Sequence, residues 1–509
     1  MSEALPILVT FLPLLGALLV LMMPKRGAAG DDSAPLWWTA QVITTITFLL
    51  TIPFWTGYGP GAEGVMFQVS VPWFRLQTLH VDFTLGIDGL SVLLVLLTSF
   101  ISMLVFFSAR SHIKEREREF LAWMLTMQCG MLGVFMALDF FAFYVFWEVM
   151  LIPLYFVVGI WGGPRRLYAA MKFFLYTVAG SLLMLVAIIW LVSQPVALPG
   201  QEPVLTSSIL AHAEHSQLAS GIQHWLFLGF AIAFLIQVPT VPFHTWLPDA
   251  HVEAPTSGSV ILAGVVLKMG TYGLIRFCLP MFPIATHTFA PWLMGIGAVG
   301  IIYGAFLAWA QQDLKKLVAY SSISHLGYIV LGTFALNAYG LQGSVLQMVS
   351  HGLATPALFL LVGMLYERRH TRRIADFGGI ARVMPRFAVF LVLATLASIG
   401  LPGLSGFVGE FLILVGAFID GETRWLGVVA ALGFVLGAIY MLSMLRRVLF
   451  GPIVDPANRE LKDLSGRECF VLVPLVVMFF WIGLGSKAFT KRTEKTLQKI
   501  EQRYTEGRG

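Results

Sequence analysis

Apolar runs of about 20 residues recur along the whole chain, the length an α-helix needs to cross the hydrocarbon of a bilayer. About 14 such spans can be read, at 4–23, 36–56, 86–108, 118–137, 139–160, 171–193, 222–242, 259–279, 288–310, 317–336, 341–365, 386–419, 424–447 and 468–487. The expected fold class is therefore all-α, a polytopic membrane protein. Composition agrees, since only 12% of the 509 residues are charged and 57% are hydrophobic, about half the charge of a soluble chain. The net charge of +5 comes from loop lysines and arginines and does not suggest nucleic-acid binding. Cys129, Cys278 and Cys469 are far apart and offer no CxxC pair, disulfide framework, iron–sulfur or zinc pattern. The first run, Ala4–Met23, has no basic region before it and no small-residue cleavage site after it, so it reads as a retained helix.

Two spans are interrupted. In the first, Phe234–Pro255, Pro239, Pro242 and Pro248 remove backbone donors and clash with the preceding turn. The freed carbonyls must find partners inside the protein or in an enclosed watery cavity. In the second, the run 386–419 is too long for one crossing and contains Gly400, Gly403, Gly406 and Gly409. No strand precedes these glycines, so close helix packing around a break outweighs a nucleotide loop. Spans four to eight and nine to thirteen form two five-helix units, inverted because the number is odd, each with its broken helix in fourth place. Inverted repeats with paired broken helices are a transporter architecture. The domain division expected is an N-terminal segment 1–117, units at 118–280 and 281–450, and a C-terminal helix with basic tail at 451–509.

Lysine and arginine in the loops set orientation. With the N-terminus outside, the inner loops hold Lys25 and Arg26, the cluster Arg110–Arg118, Arg165, Arg166 and Lys172, Lys315 and Lys316, the run Arg368–Arg386, and Arg446–Arg467. The outer loops hold little beyond Arg75, Arg276 and Arg424. The tail Lys491–Arg508 falls outside against the rule and reads as a solvated helix or disorder.

A charge at bilayer depth is costly, so each one inside a span is a functional candidate. These are Glu148, Lys268 and Glu410, expected to transfer protons, with His325 and His351 on a path between them. Tyr328 shares a helix face with His325, and Gln347 lies one turn before His351. The bland alternatives are a structural ion-pair partner for Glu148 and satisfied polar groups between helices for the histidines. Asp88 and Asp139 start spans and read as helix caps. His244, Asp249, His251 and Glu253 suit zinc by type, but their spacing matches no common site, and caps and helix stops are the reading preferred.

Trp246-Leu-Pro-Asp-Ala-His251, with Phe146-Trp-Glu148, Leu267-Lys268 and Leu401-Pro-Gly-Leu-Ser-Gly-Phe-Val-Gly-Glu410, resembles the antiporter-like subunits of respiratory complex I, NADH:quinone oxidoreductase. The resemblance runs from about Asp88 to about Gly451. It implies two inverted five-helix units, Glu148 on an input half-channel, Lys268 at the centre, His325 and His351 as links and Glu410 on the exit side. Glutamate at 410 points to one branch of that family; the L-type and N-type branches and the related antiporter subunits usually have lysine. It also implies that NADH, flavin, iron–sulfur clusters and quinone belong to other subunits, with no cofactor in this chain. The partners implied are other membrane-arm subunits, L-type and N-type among them, in a bacterial inner membrane. One departure matters. The family has lysine two residues before the first proline of the broken helix, and this chain has Gln237. Glutamine carries no positive charge, though it hydrogen-bonds carboxyls and water. Two alternatives stay open: a subunit of an Mrp-type sodium/proton antiporter, and a structural module in which Gln237 has ended pumping.

Overall fold

The computed structural model describes residues 4–23, 33–76, 79–200, 202–215, 218–419, 421 and 423–506; Lys25, Arg26 and Arg508 lie outside them. The helices are α1 (Leu5–Met22), α2 (Ala34–Gly57), α3 (Ser91–Ala109), α4 (Glu117–Met136), α5 (Phe140–Trp161), α6 (Arg166–Val192), α7 (Ile209–His215), α8 (Ser220–Gln237), α9 (Trp246–Glu253) and α10 (Thr256–Met281). They continue as α11 (Pro283–Trp309), α12 (Leu314–Phe334), α13 (Ala338–Arg369), α14 (Pro385–Ser398), α15 (Ser405–Ile419), α16 (Arg424–Leu449), α17 (Gly466–Leu484) and α18 (Lys487–Glu506). Among the described residues 13 helices are long and apolar enough to cross a membrane, and α14 with α15 forms one further, interrupted crossing. Helices α10 and α13 sit at the centre, buried all round, whereas α1, α2, α16 and α17 keep one exposed apolar face. A helix apolar on every side belongs in the middle of a bundle.

Both interruptions fall where the prolines and glycines are. Helix α8 stops at Gln237, and its freed carbonyls are taken up locally. The Thr240 hydroxyl donates to Leu235 O at 3.1 Å and the Trp246 indole to Ile236 O at 3.0 Å. Between α14 and α15 the chain turns through Gly400 and Gly403, at φ of 73° and 93°, which favour glycine.

A small sheet lies across one end of the bundle, which alternating residues such as Gln68–Val71 foreshadow and the span count does not. Strands β1 (Met66–Leu76) and β2 (Leu79–Ile87) are antiparallel, and β3 (Leu205–Thr206) runs parallel to β2. Beside it Asp139 caps α5, accepting from Phe141 N at 2.9 Å and Ala142 N at 3.0 Å. Helix α18 docks on the same end. Thr493, Leu497, Ile500 and Tyr504 are buried, and Thr496 meets Gly89 N and the Tyr58 hydroxyl at 3.1 Å each. Through Glu506 the tail is therefore a docked amphipathic helix, with its charges on one face and its buried apolar stripe on the other.

Arg276, expected in an outer loop, is 6% exposed inside α10. Its guanidinium grips Asp88 through two contacts of 2.6 and 2.8 Å, and its Nε donates to Tyr272 Oη at 3.0 Å. Asp88 also caps α3, accepting from Leu90 N and Ser91 N. This pair joins the N-terminal helices to the centre. Removing one partner of a buried pair leaves an uncompensated charge and costs about 3–5 kcal/mol. Arg276→Met should therefore lower the thermal stability of the assembled protein sharply, and adding Asp88→Asn should restore part of it; equal losses in the single and double variants would mean the charges are not coupled.

Candidate functional site

The site follows from a widened turn in α10. Residues Leu262–Val266 form a π-helical segment just before Lys268, and such a turn releases carbonyls from the regular ladder. Two side chains donate to carbonyls of this segment. Lys268 Nζ donates to Ala263 O, and Gln237 Nε2 donates to Val266 O at 3.4 Å. Gln237 comes this close because Gly270 lies against it: a Cβ there would stand 2.7 Å from Phe234 O and 3.0 Å from Gln237 Cβ.

Lys268 is fully buried and, among the described residues, pairs with no carboxylate. Its second contact is His351 Nδ1, at 2.6 Å. An ammonium or amine donates here, so Nδ1 accepts and the ring proton sits on Nε2. Nε2 has no partner. The ring of His325 follows, its centroid 5.7 Å from that of His351. A cavity of about 10 Å³ lies between, lined by His325, Gln347, Ser350, His351 and Ser398, with room for about one water. Ser398 Oγ lies 3.3 Å from His325 Nε2, while His325 Nδ1 lies 2.8 Å from Glu410 Oε1. Gln347 Nε2 donates to the same oxygen at 2.7 Å. Gly400 flanks the other oxygen; a Cβ at that residue would stand 3.2 Å from Glu410 Oε2. The arrangement runs in one direction: amine, imidazole, cavity, imidazole, carboxyl.

The structure thus brings Lys268, His351, His325 and Glu410 together. It does not bring in Tyr328 as a member: its hydroxyl donates to Ala430 O at 2.7 Å and ties α12 to α16. Glu148 stands apart on α5, half-buried, with one carboxyl oxygen unpartnered. Its neighbours are Tyr144, one turn earlier, whose hydroxyl also reaches Ser181. Gln237 bonds Val266 rather than Glu148, and its Oε1 has no partner.

His244, Asp249, His251 and Glu253 diverge. His244 packs on Tyr303, Asp249 pairs with Lys172 at 2.7 Å, and Glu253 accepts from Arg165 N at 2.8 Å. Among the described residues no three His, Cys, Asp or Glu side chains converge as a metal site. His251 is buried, stacked on Phe359 with ring centroids 4.6 Å apart, and both its ring nitrogens are unpartnered. It lies within the fields of Lys268 and Lys315. Lys315, expected in a loop, is buried and donates to Ala254 O at 2.6 Å. Reading from sequence noted Gln347 one turn before His351 and missed Ser398 and Tyr144. For Tyr144, its place one helical turn before Glu148 was the available signal.

The model of the family "NADH:quinone oxidoreductase/Mrp antiporter, TM" matches residues 137–439. NADH-quinone oxidoreductase subunit M of Rhodobacter capsulatus is 42% identical over 98% of this chain and 96% of its own. NADH-ubiquinone oxidoreductase chain 4 of Chondrus crispus is 39% identical over 95% of this chain and 94% of its own. A chain in the structure of respiratory complex I from Thermus thermophilus with bound NADH superposes with a TM-score of 0.86 at 30% identity, covering 98% of this chain and 99% of that one.

Gln347→Leu removes one of the two donors to Glu410 Oε1. The carboxyl infrared band of Glu410, identified by its loss in Glu410→Gln, should shift in Gln347→Leu; an unmoved band would mean that Gln347 only packs there.

Proposed function

The chain belongs to the NADH:quinone oxidoreductase/Mrp antiporter transmembrane family, and from that premise we propose how its buried residues carry protons. It is a proton-translocating membrane-arm subunit of NADH:quinone oxidoreductase, whose quinone reduction takes place elsewhere in the complex. The reading rests on one observation: a fully buried lysine is linked through two imidazoles to a buried carboxyl, with room for about one water at the single gap.

In the proposed step Lys268 gives a proton to His351 Nδ1, and His351 releases its Nε2 proton into the cavity. From there a proton enters His325 at Nε2, and the Nδ1 proton passes to Glu410. Each imidazole takes a proton on one nitrogen and gives one up from the other, which is the ordinary chemistry of a histidine relay. Gln347 positions the Glu410 end of that relay, and Ser398 positions His325 Nε2 where it faces the cavity. Glu148 with Tyr144 feeds Lys268 from the first unit, past Gln237, and His251 and Lys315 extend the polar line toward the end that carries the basic loops.

NADH, flavin, iron–sulfur clusters and quinone lie in other subunits in this reading. Its neighbours are other subunits of the complex, and we assign L-type and N-type antiporter-like subunits among them. The basic loops face the inside of a bacterial inner membrane and the N-terminus the outside, following the lysine and arginine bias. The units 118–280 and 281–450 are the two halves of the pump, with 1–117 and 451–509 packed around them.

General acid–base groups commonly contribute about 10²-fold or more to a proton-transfer step. Glu410→Gln should slow transfer through this subunit on that scale and lower the protons pumped per NADH oxidised by the reconstituted complex, with assembly intact. If the purified complex instead lacks neighbouring subunits, Glu410 is structural. Gln237→Lys places a charge beside the path and should change both the Glu148 carboxyl infrared signal and pumping. If neither changes, residue 237 is packing and does not couple the halves.

A further inference from the structure

Helices α2 and α17 both pack on α3, and a groove lined by all three runs along their seam. At the hairpin end Trp55, Trp481 and Phe489 close it, with ring centroids 5.2–6.0 Å apart. Next to that closure is an apolar cavity of about 310 Å³, walled by Phe48, Leu96, Phe100 and Met478 among others. At the opposite, basic-loop end a second cavity of about 370 Å³ is lined by Trp37, Trp38, Gln41, Phe107, Arg110 and Arg467, with Phe470 over it. Phe100 and Phe107 are two turns apart on α3, about 10 Å, so one extended apolar chain reaches from the second cavity to the first.

Several other arginines of that end are already paired. Arg368 is held by Glu468 at 2.7 Å, Arg369 by Asp455 at 2.5 Å and Arg372 by Asp313 at 3.3 Å. The carboxylates close by are likewise taken: Glu117 accepts from the Trp37 indole and Glu367 meets His112. Among the described residues Arg110 and Arg467 alone line this cavity as cations, and neither guanidinium has an ion-pair partner. Gln41, which is 6% exposed, also lines it; its Nε2 is used on Thr45 and Met103 O, while its Oε1 has no partner. Two free guanidiniums match a phosphate diester, an orphan buried carbonyl matches a headgroup hydroxyl, and the aromatic wall matches an acyl chain.

We propose that the groove between α2, α3 and α17 holds one anionic phospholipid, its phosphate between Arg110 and Arg467 and an acyl chain running past Phe107 toward Trp55. The site is independent of the proton relay, so pumping is not its test. The purified complex is reconstituted in phosphatidylcholine nanodiscs doped with phosphatidylglycerol that carries a photoactivatable acyl chain, and the cross-linked peptides are mapped. Labelling should fall on α2, α3 and α17 and exceed that by a phosphatidylcholine probe. Arg110→Gln with Arg467→Gln should cut it about thirtyfold, the scale of two cationic contacts with an anionic lipid. Arg110→Lys with Arg467→Lys should retain most of it. Equal labelling by both headgroups, or labelling unchanged in the glutamine variant, would overturn the proposal, as would a groove left unlabelled because another subunit's carboxylates cover the arginines. If the glutamine variant fails to assemble, the comparison of headgroups on the unaltered complex decides.

Discussion

A charge-bearing side chain at bilayer depth has no water to turn to, so the bundle is arranged around what Lys268 can touch. No carboxylate meets it among the described residues; a backbone carbonyl and an imidazole do. Both partners depend on geometry that a regular helix does not supply. The carbonyl of Ala263 lies in the π turn of α10 and accepts from Lys268 Nζ. The imidazole of His351 is in reach because α10 and α13, the two helices buried on every side, pack together at the centre. A lysine satisfied by neutral partners can lose its proton without leaving a stranded counter-charge, which an Asp–Lys pair could not do. The contrast is within the molecule: Arg276 and Asp88 form a buried pair of the stranding kind, and they tie helices together.

The broken helices serve the same end from two sides. The proline break after α8 brings the amide of Gln237 to the π turn, and the glycine break before α15 makes room for Glu410. At the first break the freed carbonyls of Leu235 and Ile236 are met by Thr240 and Trp246, as a bilayer requires. Gln237 spends its amide on Val266 O and brings no charge to the π turn, whereas His351, His325 and Glu410 form a continuous run of titratable groups.

Much of this was legible in the sequence. Apolar run length located the crossings to within a few residues, because hydrocarbon thickness fixes helix length. Charge inside those runs singled out Lys268, His325, His351 and Glu410. What the runs did not carry was anything decided by contact between distant segments. Arg276 and Lys315 looked like loop cations until packing buried them, and Tyr328 looked like a relay member until its hydroxyl turned to α16. The strands β1 and β2 were hidden by a window tuned to long helices, and α18 by a composition that reads as solvated although one stripe of it is buried. Arg110 and Arg467, far apart in the chain, gave no sign of sharing one mouth.

The central claim is that Lys268 and Glu410 are joined through His351 and His325, so that a change of charge at one end is felt at the other. The most direct measurement is the carboxyl infrared difference spectrum of the reconstituted complex, with Lys268→Met compared to the unaltered chain and Glu410→Gln marking the Glu410 band. Loss or displacement of that band in Lys268→Met is the result the relay predicts. A Glu410 band that stays in place and keeps its intensity, in a complex that is otherwise assembled, would contradict it.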